Sequence, residues 1–166
     1  GAEVVRGLGG NVLLLGEMGI GNTSSAALIM SSLMKLPLTD CVGRGTGLDE
    51  QGLAHKLTVL QEAQQANAQA RTPTEVLAAF GGFEVAMMCG AMLEAARSNR
   101  VIVVDGFIAT SALLVAHALE PLVLQRCVFA HQSGENGHAR MLAHLGVRAP
   151  CSACVCAVSY THLRAH

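Results

Sequence analysis

Apolar residues follow two rhythms along this chain: short unbroken runs, and longer stretches with helical spacing. Residues 11–15 form an apolar run that enters Gly16, which predicts a buried parallel strand. Residues 101–104 are the clearest run and end in Asp105-Gly106; residues 127–130 are a weaker third. Between the runs, spacing and caps predict helices. One covers residues 23–34, capped by Asn22, Thr23 or Ser24 and stopped by Pro37. A long one runs from the Asp49 cap to about residue 69, with Leu53, Leu57, Leu60 and Ala63 on one face. Thr72-Pro73-Thr74-Glu75 opens another over residues 76–80. Further helices are expected over residues 83–97, 109–119 and 137–145. Strands separated by helices predict an α/β layer of parallel strands with right-handed crossovers.

Composition narrows this picture. With 51% hydrophobic and 14% charged residues the chain is not disordered, and its 166 residues suffice for one domain with a sizeable core. Ala, Leu, Val and Met carry the apolar content and Trp is absent, which favours helices on a buried sheet over a β-sandwich. A net charge of −1, one Tyr and no basic stripe exclude a nucleic-acid surface. The longest apolar candidate, residues 101–119, is interrupted by Asp105 and Gly106, which argues against a membrane span. Gly1-Ala2-Glu3-Val4-Val5 is not a signal peptide and reads as a chain entered partway through a domain. Cys41, Cys89 and Cys127 sit in apolar contexts as small hydrophobes, so a cytoplasmic protein is the default.

Residues 151–166 lose the helix–strand rhythm and turn to Cys, Ser and His. Residues 159–166 resemble adapter-derived read-through in translated sequencing reads, so residues 1–150 are expected to be the genuine domain and 151–166 a non-native tail. Cys151, Cys154, Cys156, His162 and His166 lack the paired second half of a zinc ribbon or finger, and no metal is expected.

The candidate chemistry lies at the ends of the predicted strands. Gly16-Glu17-Met18-Gly19-Ile20-Gly21 between a strand and a helix is either an anion nest of backbone N–H groups or a tight turn. Gly16, Gly21 and Thr23 fit the P-loop pattern, but Asn22 stands where its lysine belongs, which leaves room for a single phosphate and not a triphosphate. Glu17 either hydrogen-bonds a substrate or is solvated. Cys41-Val42-Gly43-Arg44-Gly45-Thr46-Gly47 is a second nest or a plain connection. Lys56 is a point charge for phosphate or an ordinary surface lysine. Asp105 is a site acid or a helix cap. The polar loop from His131 to His138 brings hydroxyl, amide and imidazole groups to one edge, at a His spacing that is not a zinc spacing.

Leu15-Gly16-Glu17-Met18-Gly19-Ile20-Gly21-Asn22-Thr23-Ser24-Ser25-Ala26 closely resembles the signature of the nicotinate-nucleotide–dimethylbenzimidazole phosphoribosyltransferases, which assemble the lower ligand of cobalamin. The Cys41 to Gly47 motif, Ala79-Phe80-Gly81-Gly82-Phe83-Glu84, Val104-Asp105-Gly106-Phe107-Ile108, His131-Gln132-Ser133 and Gly137-His138 follow in that family's order. The match covers residues 10–150, about half of a full member.

The resemblance implies a Rossmann-like parallel sheet flanked by helices, here incomplete, in a homodimer that uses neither cofactor nor metal. It implies transfer of phosphoribose from nicotinate mononucleotide to 5,6-dimethylbenzimidazole, giving α-ribazole 5′-phosphate and nicotinate. Glu17 would lie beside the reacting nucleotide as the catalytic carboxylate. Gly19, Gly21, Asn22, Lys56 and Ser133 would hold phosphate and ribose, with Glu84 and Asp105 at the cleft edge. The family's general base is expected in a downstream Leu-Gly-Glu-Gly motif, where residues 151 onward stand here. The 166-residue chain is therefore expected to be inactive while binding a phosphate-bearing ligand weakly. The alternative is a non-catalytic nucleotide- or phosphate-binding α/β module. Absent flanking segments should leave apolar surface exposed and the chain prone to aggregate.

Overall fold

Parallel strands cannot be joined by tight turns, so each pairing here requires a helical crossover. The computed structural model describes residues 1–44 and 47–149, so the tail and the cysteine–histidine cluster assigned to it lie outside the described residues. Strands β1 (Val12–Gly16), β2 (Val101–Asp105) and β3 (Cys127–Phe129) form one parallel sheet in that order. Val12 pairs with Val101 and Gly16 with Asp105, while Ile102 pairs with Cys127 and Val104 with Phe129. This is the expected α/β sheet.

The helices are α1 (Ala2–Gly7), α2 (Thr23–Met34), α3 (Glu50–Ala66), α4 (Pro73–Phe80), α5 (Phe83–Arg97), α6 (Gly106–Leu119) and α7 (Asn136–His144). Single 3₁₀ segments lie at Leu38–Asp40 and Pro121–Arg126. α3 begins as expected, with the Asp49 carboxylate accepting from the Gly52 N–H at 2.7 Å, but it stops at Ala66. Of its apolar stripe only Leu60 is buried. α4 opens with a capping box between Thr72 and Glu75 behind Pro73, and the backbone N–H groups of Thr72 and Arg71 hold the Glu75 carboxyl below its usual range.

α6 is apolar on every side, and such a helix must lie inside. Phe107 to Ala116 are all buried, against α2, α4, α5 and α7 on one side and the sheet on the other. It starts at Gly106, three residues before the sequence suggests. Gly106 adopts φ +81, so the chain turns from strand into helix with no intervening loop.

α1 is not visible in the sequence pattern, because six residues give too short a period. Tertiary contacts hold it. Val5 is buried, and Arg6 Nη2 donates at 3.0 Å to the buried carboxylate of Glu94, which also accepts from Arg97 at 3.1 Å. The two guanidinium groups keep the Glu94 carboxyl below its ordinary range.

Among the described residues, helices cover only one face of the sheet. Ile102 and Val104 point into the core, whereas their neighbours along each strand point the other way. On that second face Val12 is 53% exposed, Leu14 73% and Val128 51%, in register with Val101 and Val103. A continuous apolar strip of this kind is an association surface. The isolated chain is expected to self-associate, and Leu14→Lys should shift it toward monomer while changing stability by less than about 1 kcal/mol. Light scattering behind a sizing column checks this; a wild-type chain that is already monomeric at the same concentration would refute it.

Candidate active site

The parallel register brings three strand ends side by side: Gly16 before Glu17, Asp105, and Ala130 before His131. The Ala130 N–H donates to the Val104 carbonyl at 3.0 Å, which extends the pairing to the edge. The carboxyl edge of an α/β sheet is where ligands bind.

The first loop closes on itself. Glu17 Oε2 accepts from the Gly19 N–H at 2.5 Å and from Asn22 Nδ2 at 2.6 Å. Gly21 adopts φ +92, which lets the chain enter α2. Asn22 occupies the N-cap position, yet its side chain makes no cap bond; it serves Glu17, and its Oδ1 is buried without a hydrogen-bond partner. The carboxylate that this loop holds is the protein's own. A Cβ at Gly19 would meet the Asn22 amide, so a side chain there would displace the amide that bonds Glu17.

Lys56 is not an ordinary surface lysine. From α3 its Nζ donates to Thr23 Oγ1 at 3.1 Å and to the Gly43 carbonyl at 3.3 Å. Burial lowers its pKa and the nearby Glu135 carboxylate opposes that shift. An ammonium from α3 therefore lies beside the start of α2 and the second glycine loop.

A second group surrounds β3. His131 Nδ1 donates to Asp105 Oδ1 at 2.6 Å. Asp105 occupies the N-cap position of α6, but its side chain makes no cap hydrogen bond. Thr110 Oγ1 donates to the Gly106 carbonyl at 2.7 Å, so it must accept from His138 Nε2 at 3.0 Å. The Ser133 N–H donates to His138 Nδ1 at 2.9 Å. Together these bonds define His138 as neutral, protonated on Nε2. Its pKa falls to about 4, through burial first and His131 second, with Asp105 opposing.

Comparison with known proteins agrees with this geometry. A family model described as Phosphoribosyltransferase matches residues 1–154. The chain belongs to this phosphoribosyltransferase family. It is 58% identical over 147 residues to the nicotinate-nucleotide–dimethylbenzimidazole phosphoribosyltransferase of Variovorax paradoxus (strain S110), a match covering 89% of this chain and 42% of the relative. It is 61% identical over 139 residues to the enzyme so named from Ralstonia nicotianae (strain ATCC BAA-1114 / GMI1000), covering 84% and 39%. The crystal structure of CobT from Thermus thermophilus superposes with a TM-score of 0.85 at 35% identity, covering 92% of this chain and 46% of that one. The chain thus spans less than half the length of these relatives.

Within this phosphoribosyltransferase chain, the expected site residues fall into two clusters and one outlier. Gly19, Gly21 and Asn22 share the Glu17 loop, and Lys56 bonds to Thr23 just beyond it. Asp105 and Ser133 belong to the histidine group around β3. Glu135, beside Lys56, connects the two. Glu84 stands apart from both, on an apolar cavity of about 270 Å³ between α1, β1 and α5 that Glu17 also lines. Thr110 and Glu135 are not visible from the sequence as neighbours of these clusters, since each meets a partner distant in the chain. Among the described residues no group of three or more His, Cys, Asp or Glu side chains could hold a metal. No described helix is long and apolar enough to cross a membrane. Burial pushes the thiols of Cys41 and Cys89 up to about 11 and that of Cys127 to about 12, so none supplies a thiolate near neutral pH.

The depressed His138 has a direct consequence for stability. The unfolded chain takes up this proton near the ordinary histidine value of 6.5, the folded chain only near 4, so stability is complete above 6.5 and is lost as pH falls between them. The loss reaches about 3 kcal/mol by the lower limit. Thermal melts from pH 7 to 4 should show a steeper decline for the wild type than for His138→Gln; parallel declines would refute the assignment.

Proposed function

We propose that this chain forms the nucleotide-holding half of an enzyme that transfers phosphoribose from nicotinate mononucleotide to 5,6-dimethylbenzimidazole, releasing nicotinate and giving α-ribazole 5′-phosphate. The observation that carries this reading is Lys56, half-buried and hydrogen-bonded between the start of α2 and the second glycine loop, beside the loop whose Gly19 N–H is held by Glu17. An ammonium and a helix N-terminus meeting at one point favour a phosphate monoester.

In this reading the phosphate takes the N–H of Gly19 from Glu17, and Gly21, Asn22 and Lys56 complete its cradle. Released from the nest, Glu17 faces the ribose. Cleavage of the N-glycosidic bond builds oxocarbenium character at the sugar, which a nearby carboxylate stabilises. Ser133 and Asp105 hold ribose hydroxyls from the other side, and Glu84 borders an apolar cavity next to Glu17. Anchoring the phosphate fixes the sugar relative to these groups, an effect that contributes about 7–11 kcal/mol in well-oriented systems. The attacking benzimidazole must lose a proton to a general base. The family's Leu-Gly-Glu-Gly motif does not occur in this sequence, so the 166 residues alone are proposed to bind nucleotide without turning it over. The remaining parts of the proposal are a homodimeric, cytoplasmic enzyme acting on small molecules without a cofactor.

A nicotinate-release assay with both substrates should show activity only when the chain is extended at both ends to the length of its relatives. Nicotinate mononucleotide binding without turnover in the extended chain would favour a binding module, and turnover by the 166 residues alone would mean the base lies within them. In the extended enzyme Lys56→Ala should raise KM for nicotinate mononucleotide roughly 10- to 100-fold, the worth of a hydrogen bond to a charged group. An unchanged KM would refute the phosphate role.

A further inference from the structure

We propose that His131 is a positioning residue for phosphoribosyl transfer, setting the orientation of Asp105; this rests on the transferase reading above. Asp105 is 50% exposed at the end of β2, whereas the imidazole that holds it is 5% exposed. A half-exposed carboxylate left to itself samples several rotamers. Here one oxygen is fixed: His131 Nδ1 donates to Oδ1 at 2.6 Å, a short charge-assisted bond. The other oxygen, Oδ2, lies 3.4 Å from where a Cβ would stand on Gly16, immediately before Glu17. Asp105, His131 and Gly16 line one cavity of about 360 Å³ at the strand ends.

The imidazole is itself braced. The Ala130 N–H to Val104 carbonyl bond holds the backbone just before His131 beside β2. Its ring meets His138 edge-on, with centroids 6.3 Å apart at 77°, and His138 is locked by Thr110 and Ser133. The Asp105 side chain does not cap α6, so no bond to the start of that helix competes with His131 for it. The arrangement transmits the rigidity of the core to one carboxylate oxygen facing the cavity. A reacting sugar needs such a group held in place, because misplacement by an ångström costs orders of magnitude in rate.

The test uses the enzyme extended to the length of its relatives. His131→Leu keeps the bulk and removes the N–H, whereas His131→Asn keeps a donor near the position of Nδ1. His131→Leu should lower kcat roughly 10- to 100-fold with KM for nicotinate mononucleotide changed less than about threefold, and His131→Asn should recover most of the loss. In an Asp105→Asn background His131→Leu should cost less than about twofold more, since the bond it removes is already gone. Additive losses, or equal losses in the Leu and Asn variants, would overturn the positioning role while leaving the transferase reading intact. No turnover by the wild-type extended enzyme would overturn both. Should His131→Leu fail to fold, nitrogen-15 NMR of the wild-type imidazole tests the same bond. An Nδ1-bound proton whose resonance moves on Asp105→Asn supports the role, and one that does not move refutes it.

Discussion

The pairing of Gly16 with Asp105 across two parallel strands is the constraint on which the rest depends. Parallel strands point the same way, so aligning one pair of residues aligns every strand end. With β3 in register, the Glu17 loop, the Asp105 carboxylate and the His131 loop leave the sheet at a single edge. None of these groups is near another in sequence. A slip by one residue would also turn Ile102 and Val104 out of the core, so the hydrophobic pattern that stabilises the sheet maintains the site.

Charge at that edge is arranged in pairs. Glu17 is satisfied by its own loop and Asp105 by a buried imidazole, while Lys56 faces Glu135 and bonds to Thr23 and Gly43. Lys56 tolerates partial burial because oxygen atoms surround it. The Gly19 N–H and the Asn22 amide thus hold the Glu17 carboxylate within its own loop.

Behind this edge the core carries a polar chain that serves the site. Thr110 lies on α6, the most buried helix, and reaches through His138 to Ser133. Burial keeps His138 neutral, and neutrality allows its Nδ1 to accept from Ser133. On the opposite side the sheet presents Leu14, Val12 and Val128 without cover from the described residues. The relatives carry more than half their length beyond the matched region, so such a face is what a shared fold would show when only part of it is present.

Much of the fold was legible in the sequence, because local signals suffice for it. Among the described residues, apolar runs marked the three strands, and the Thr72–Glu75 box, the Asp49 cap and helical spacing located six of the seven helices. The motifs around Gly16, Gly43, Asp105 and His131 pointed to the family, since each is a contiguous string. Where the sequence fell short, the cause was non-local. Six residues of α1 carry no period and depend on the Arg6–Glu94 contact from 88 positions away. The start of α6 rested on a φ that only the strand-to-helix turn imposes on Gly106. Sequence alone left Lys56 between phosphate ligand and surface lysine, and Asp105 between site acid and cap, because each residue's own type permits both. What the structure adds is the partners: Thr23 and Gly43 for Lys56, His131 for Asp105. By itself the sequence determined which chemically capable groups the chain carries and in what order. Only the tertiary structure decided which groups meet, because hydrogen bonds depend on ångström distances that parallel register and helix packing set.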